Sequence, residues 1–157
     1  MRLLGALMWS FFLLLTLLFE RREAGRALAE ERGLCLLLAH IKDSLNASPA
    51  PLPQVFAAFD DQALAACGFL EKLRSENLAH ALDAGLLCLS KEALRPVKEY
   101  AAALGKRPYA AERAEAERVL SQMRAQLTES ETAYPKRRRL TGTLLFTFGM
   151  LALLLLI

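Results

Sequence analysis

The sequence predicts an all-α protein in which two transmembrane helices flank a small antiparallel helical bundle. Three observations predict this fold class. An uncharged, apolar run lies near each end of the chain, at residues 3–19 and 140–157. Between these runs apolar residues recur every three or four positions, and the β-branched residues that favour strands are scarce. Proline and glycine divide the same segment into short stretches, each of which keeps this helical spacing.

The C-terminal run gives the strongest membrane signal. Eighteen uncharged residues, 140–157, directly follow the cations Lys136, Arg137, Arg138 and Arg139. As a helix this run would be about 27 Å long, close to the roughly 30 Å of a bilayer's hydrocarbon core. A soluble chain of this size cannot build a core large enough to bury such a helix. We therefore predict a C-terminal transmembrane helix over residues 140–157.

The N-terminal run is shorter and allows two interpretations. Its seventeen uncharged residues lie at the lower length limit for a span, and Arg21 and Arg22 follow closely. A cleaved signal peptide is the alternative, because an arginine followed by an apolar run also describes one. The bulky sequence Leu17-Leu18-Phe19 lacks the small residues of a cleavage site. This favours a retained transmembrane helix over residues 1–19.

The positions of the cations predict the orientation of the chain. Because Arg21, Arg22 and residues 136–139 border the middle segment, the positive-inside rule places residues 20–139 in the cytoplasm. Residues 30–131 contain 15 acidic and 12 basic side chains, a net charge of 12 − 15 = −3. The basic excess is therefore confined to the membrane borders, where it suits anionic lipid. No basic surface is left for nucleic acid, and we expect none to bind.

The cytoplasmic segment begins as a continuation of the first membrane helix. Its helical spacing extends to about Leu45. Residues 46–53 must end it, because they contain three prolines at alternate positions. Pro53 suits the first turn of a short second helix, which carries Val55, Phe56 and Phe59. The sequence thus predicts a sharp corner between these two helices.

Two further helices are expected after that corner. The acidic pair Asp60-Asp61 suits the N-terminal cap of a helix from about Gln62 to Ser75 or Glu76. Adjacent carboxylates point about 100° apart on a helix, which favours capping over metal binding. The spacing of leucines predicts the next helix over Asn77–Leu89.

The last two predicted helices include prolines. Ser90 is the expected N-cap of a helix ending at Leu104, with Gly105 in the left-handed conformation just beyond it. Pro96 inside this helix predicts a kink or a later start. A long helix is expected over Tyr109–Tyr134, followed by a kink at Pro135. Its predicted buried stripe consists of Ala116, Val119 or Leu120, Met123, Leu127 and Tyr134.

The residues that commonly carry catalysis form no recognisable motif. His40 and His80 lie among apolar residues, and each is interpreted as a core or boundary residue. Cys35, Cys67 and Cys88 lack metal-ligand spacing and are interpreted as small buried hydrophobes. Phosphate-binding loops and nucleophile elbows do not occur. We expect neither cofactor nor enzymatic activity; the alternative is a small membrane-anchored sensor or enzyme that uses His40, His80 or a cysteine.

Four motifs, in this order and spacing, carry a resemblance to a known family. They are Leu3-Leu4-Gly5-Ala6, Ala50-Pro51-Leu52-Pro53, Ala103-Leu104-Gly105 and the closing run from Gly149 to Ile157. Over nearly its full length the chain resembles the stage III sporulation protein AB family of endospore-forming bacteria. That family is in turn similar to the cytoplasmic helical domain of the F-type platform protein of type II secretion and type IV pilus machines.

The resemblance implies a non-enzymatic platform or adaptor in the mother-cell membrane. Such a protein would belong to a secretion-like channel between mother cell and forespore, and would dock the cytoplasmic ATPase, stage III sporulation protein AA. The implied partner contact lies at the proline corner, which comprises Asp43, Leu45, Pro51, Leu52 and Pro53. This chain departs from the family just before the corner, where only Asp43 keeps the acidic character of the family's pattern. The segment between Leu52 and Leu89 is also shorter than usual.

The second span also bears on assembly. Gly142 and Gly149 are seven residues apart and place small residues on one face, where the first span or another subunit could pack closely. A homo-oligomer is compatible with this face. A self-assembling pore would require polar faces in the spans, and Ser10 with four threonines supplies little polarity.

Overall fold

The computed structural model describes the backbone of residues 2–47 and 51–156. It describes the side chains of residues 22–47 and 51–135, and those at nine further positions. The described elements are all helices, which confirms the predicted all-α class. They are α1 (Arg2–Ala47), α2 (Leu52–Ala58), α3 (Gln62–Ala66), α4 (Phe69–Ser75), α5 (Leu78–Asp83), α6 (Lys91–Ala103) and α7 (Tyr109–Leu156).

The chain forms two compact units. Residues 1–25 and 130–157 make up the first, which we call the terminal unit, and residues 26–129 make up the second, the head. Within the terminal unit α1 and α7 come close together, since a Cβ added at Gly25 would lie 3.7 Å from the hydroxyl of Tyr134. Helix α1 is continuous from Arg2 to Ala47, which confirms the unbroken first helix predicted from the sequence.

Most side chains of the two predicted spans, and those of Arg21 and residues 136–139, lie outside the described side chains. Among the residues that are described, no helix has the length and apolar character needed to cross a membrane. The described large apolar side chains of the first predicted span are all exposed. These are Met8, Phe11, Phe12, Leu15, Leu18 and Phe19.

The core of the head is built around α4, which packs against α2, α3 and α5, while α5 also packs against α6. Helix α1 contributes residues at helical spacing that are at most 1% exposed, namely Leu34, Leu37, Leu38 and Ile41. Helix α7 contributes Ala116, Val119, Leu120 and Met123 to the same core. Burying a leucine or isoleucine contributes roughly 1.5–3 kcal/mol. The four buried residues of α7 confirm most of the stripe predicted for that helix, and Leu127 packs at the edge of the core.

Side-chain caps define the starts of three helices. Asp61 accepts a hydrogen bond from the backbone N–H of Leu64 (3.0 Å), Asn77 from that of His80 (2.9 Å) and Ser90 from that of Ala93 (3.2 Å). Each bond satisfies a helix N–H that has no partner within the helix. The predicted caps at Asp61 and Ser90 are therefore confirmed. The neighbouring Asp60 lies instead 3.7 Å from the guanidinium of Arg74.

Two predicted helices are wrong in extent, and glycine explains both differences. The helix predicted from about Gln62 to Ser75 or Glu76 is divided into α3 and α4 at Gly68, whose φ is +77°. The helix predicted over Asn77–Leu89 ends at Asp83, because Gly85 adopts a φ of +67°. A residue in this left-handed region interrupts the α-helical backbone and is common just past a helix end. Residues 84–90 consequently form a loop.

The prolines in the last two helices are accommodated within continuous helices. Helix α6 begins directly after its Ser90 cap and runs through Pro96, so the later start predicted for it is wrong. It is followed by Gly105 with a φ of +80°, as predicted. Helix α7 likewise passes through Pro135.

Gly33 lies in close contact with residues at the start of α3. A Cβ at this position would lie 2.7 Å from Oδ1 of Asp61 and 2.8 Å from Cγ of Leu64. Both distances are shorter than van der Waals contact allows. The Asp61 oxygen is also the one that caps α3. Gly33 therefore fixes both the spacing of α1 from α3 and the geometry of the cap.

Replacing Gly33 with alanine should lower the free energy of unfolding by about 1–3 kcal/mol, because the added methyl group overpacks the contact with Asp61 and Leu64. The matched control is Gly25→Ala, where the new Cβ would be in ordinary contact at 3.7 Å. That control should gain up to about 1 kcal/mol of helix propensity. Thermal unfolding of the full-length protein in detergent micelles, followed by circular dichroism, measures both changes. Equal stability of Gly33→Ala and the wild type would contradict the close approach.

Candidate functional site

The two histidines do not form a catalytic arrangement with other described residues. The Nε2 of His40 donates a hydrogen bond to the backbone carbonyl of Val55 (3.1 Å), and its ring lies 5.6 Å from the ring of Phe59. His40 therefore joins α1 to α2, as expected for a boundary residue. His80 is exposed, and its backbone N–H is bound by the cap residue Asn77. The interpretation of His80 as a core or boundary residue is thus wrong, since α5 turns this side chain outward.

The three cysteines occupy three different environments. Cys35 is buried in the core, Cys67 is half-buried and Cys88 is exposed. The thiol of Cys67 donates to the carbonyl of Leu64 (3.3 Å), and burial, aided by the charge of Glu30, raises the pKa of this thiol. The prediction of small buried hydrophobes therefore holds for Cys35 and is wrong for Cys88, which the loop after Gly85 exposes. Among the described residues the cysteines form no disulfide, and no group of three ligand-type side chains is placed to hold a metal ion.

The head buries three glutamates that no sequence motif marks. Glu30, Glu31 and Glu112 are 2%, 3% and 5% exposed. Glu30 Oε2 accepts a hydrogen bond of 2.6 Å from the backbone N–H of Cys88, so this carboxylate joins α1 to the loop at residues 84–90. Such a charge-assisted bond compensates part of the cost of burying the carboxylate. Helical spacing was the sequence signal for the burial of Glu30, because this residue lies four positions before Leu34, which is buried.

The proline corner divides into an exposed part and a packed part. Asp43, Pro51 and Pro53 are exposed, whereas Leu45 and Leu52 are half-buried and pack against the core. The Cδ1 atom of Leu52 would lie 3.6 Å from a Cβ at Gly105. The corner therefore meets the turn between α6 and α7, residues 104–108. Two of the motifs that carry the family resemblance are thus brought into contact.

The predicted membrane-border cations are described only in part. Arg22 is exposed. The side chains of Arg21 and residues 136–139 lie outside the described side chains, so the predicted cationic border remains a prediction.

Comparison with models of protein families, with curated proteins and with solved structures found no match. The candidate surface is therefore defined by its geometry. It consists of the corner residues Asp43, Pro51 and Pro53 together with the adjoining turn at residues 104–108.

Replacing His40 with alanine should destabilise the protein by about 1–3 kcal/mol, because the partly buried carbonyl of Val55 loses its donor. His80→Ala is the matched control, and a surface substitution of this kind should stay within about 0.5 kcal/mol. Chemical unfolding of both full-length variants in micelles measures the difference. Equal losses from the two substitutions, or no loss from either, would contradict the structural role of His40.

Alkylation by N-ethylmaleimide at neutral pH should modify Cys88 first. Burial slows the reaction of Cys35, and the raised pKa of Cys67 reduces its thiolate fraction. Both cysteines should therefore react at least about tenfold more slowly than Cys88. Mass spectrometry of the protein at successive reaction times gives the order. Equal rates after denaturation serve as the control. If Cys67 reacted first in the folded protein, the half-buried environment described for its thiol would be contradicted, and the sensor alternative would be favoured.

Proposed function

We propose that this chain is a non-enzymatic, membrane-anchored adaptor whose head docks a cytoplasmic ATPase. In this proposal the terminal unit holds the protein in the membrane and the head lies in the cytoplasm. The adaptor belongs to a secretion-like channel between mother cell and forespore, as the family resemblance implies. The membrane is the mother-cell membrane during sporulation.

One observation carries the anchoring proposal: an exposed apolar stripe on α1. Met8, Phe11, Phe12 and Leu15 recur at helical spacing, and Met8 is 74% exposed. Exposed apolar side chains in a contiguous row mark a surface that another apolar phase covers. The uncharged composition of residues 3–19 and 140–157 favours lipid as that phase.

Charge supports the proposed orientation. The cations of Arg21, Arg22 and residues 136–139 follow or precede the apolar runs on the side of the head. Cations in this position favour retention on the cytoplasmic side and attraction to anionic headgroups. The net negative charge of residues 30–131 favours binding of the head to a basic protein partner rather than to the membrane surface.

The contacts made by the potentially reactive side chains favour an adaptor over an enzyme. His40 donates its hydrogen bond to a backbone carbonyl of the neighbouring helix. Cys35 lies in the core, and Glu30 binds a backbone N–H. Each of these groups therefore has a structural role within the head. The surface that we propose for docking is the corner with its exposed Asp43, Pro51 and Pro53.

The exposed carboxylate of Asp43 gives the corner a charge that a basic surface of the ATPase would recognise. Rigid prolines on either side of Leu52 limit the conformational entropy that docking would cost. A homo-oligomer that pairs the Gly142 and Gly149 faces would present several corners to one ATPase ring.

Full-length protein in micelles should bind the stage III sporulation protein AA of the same genome with micromolar or tighter affinity. Asp43→Lys should weaken this binding several-fold and change its salt dependence, because it reverses a charge at the contact surface. The matched control is Glu117→Lys, which reverses an exposed charge on α7. Biolayer interferometry with the immobilised ATPase measures all three affinities. Absence of association at micromolar concentration, or equal losses in both variants, would count against the proposed docking.

A further inference from the structure

Helix α2 carries part of the corner and is too short to hold its own conformation. It spans only Leu52–Ala58, and no described side chain caps its first turn. An isolated helix of this length is unstable in water, so contacts from neighbouring elements must keep it helical and in place. Val55 and Phe56 bury one face of α2 in the core. Because Pro53 lies in the first turn, the orientation of α2 determines where this exposed proline of the corner lies.

Side chains from two other helices bind backbone carbonyls at the C-terminal end of α2. Carbonyls at this end of any α-helix lack a full set of partners within the helix. Nε2 of His40, on α1, donates to the carbonyl of Val55 (3.1 Å). Nη2 of Arg74, on α4, donates to the carbonyl of Phe59, the C-cap residue of α2 (2.8 Å). The end of α2 is thereby bound to both α1 and α4.

The bond from Arg74 to the backbone of α2 is the main contact of this guanidinium. It is short and charge-assisted, which is the stronger class of hydrogen bond. A cation beside the carbonyl end of a helix is also favourable. The same nitrogen lies 3.7 Å from the carboxylate of Asp60, whose side chain is 84% exposed, so solvent screens this ion pair. Arg74 therefore acts chiefly on the position of α2.

We propose that Arg74 is a positioning residue of the docking surface. By binding the carbonyl of Phe59 it holds α2, and with it Pro53, in the orientation that a partner at the corner recognises. Without this bond α2 opens more easily, and the partner must order it again on binding. The effect on docking rests on the proposed function, whereas the dependence of α2 on Arg74 does not.

Hydrogen exchange of the full-length protein in micelles tests the dependence of α2 on Arg74. Arg74→Met keeps an unbranched apolar side chain and removes the donors, so the amides of residues 54–59 should exchange about tenfold faster or more. The matched control is Arg95→Met, which removes the same charge and the exposed ion pair with Glu99, and it should leave these amides unchanged. Unchanged exchange in Arg74→Met, or equal acceleration in both variants, would overturn the proposal.

A conservative variant separates the hydrogen bond from other effects of the substitution. Because a single nitrogen of Arg74 binds Phe59, a lysine ammonium can replace it, and Arg74→Lys should retain most of the protection of residues 54–59. Loss of protection as large as in Arg74→Met would overturn the bond as the cause, and the proposal with it. The amides of residues 112–127 in α7 should exchange at the wild-type rate in all three variants. Acceleration there equal to that in α2 would indicate global destabilisation and would also overturn the proposal.

Binding of the ATPase separates this inference from the proposed function. Arg74→Met should weaken its binding about threefold or more, because ordering α2 then costs binding free energy, while Arg95→Met leaves the affinity unchanged. Unchanged affinity of Arg74→Met for an ATPase that binds the wild type would overturn the inference and leave the proposed function standing. Faster exchange of α2 in Arg74→Met, together with no ATPase binding to the wild type, would support the role of Arg74 in holding α2 and count against the proposed function.

Discussion

The head depends on the close packing of one face of α1 against the shorter helices. Leu34, Leu37 and Ile41 are almost completely buried on this face, and Gly33 lets the start of α3 approach so closely that a methyl group would overlap Asp61 and Leu64. The same Asp61 caps α3. Helix packing and helix capping are therefore coupled at one point, and the positions of α3 and α4 follow from it. Since protein interiors are close-packed, even one methyl group has consequences here.

Local rules predict the helix starts and the corner of this chain, but not the breaks within its alanine- and leucine-rich stretches. Ser90 and Asp61 cap helices because their side-chain oxygens reach free N–H groups within the same turn. The breaks at Gly68 and Gly85 are not evident from the sequence, because residues of high helix propensity lie within two positions of both glycines. Whether a glycine there stays helical or takes a positive φ depends on how the next helix must turn to reach the core.

The candidate surface was predictable in its position and not in its chemistry. The prolines mark the corner, whereas only helical spacing from apolar residues distinguishes the buried carboxylates from the many charged residues that face solvent. Glu112 lies four residues before the buried Ala116, just as Glu30 precedes Leu34, so both occupy the buried face of their helices. Glu30 accepts a hydrogen bond from a backbone N–H, whereas Oε2 of Glu112 has no hydrogen-bond partner among the described residues.

We propose that apolar ends embedded in lipid hold the head on the cytoplasmic side of the membrane. The exposed Cys88 provides a reporter for the head, since a membrane-impermeant maleimide reaches it only from the side on which the head lies. In cells that express the full-length protein, Cys88 should stay unlabelled while the cells are intact. It should be labelled in inverted membrane vesicles that retain the protein through an alkaline carbonate wash. Labelling in intact cells, or release of the protein by the wash, would contradict the account.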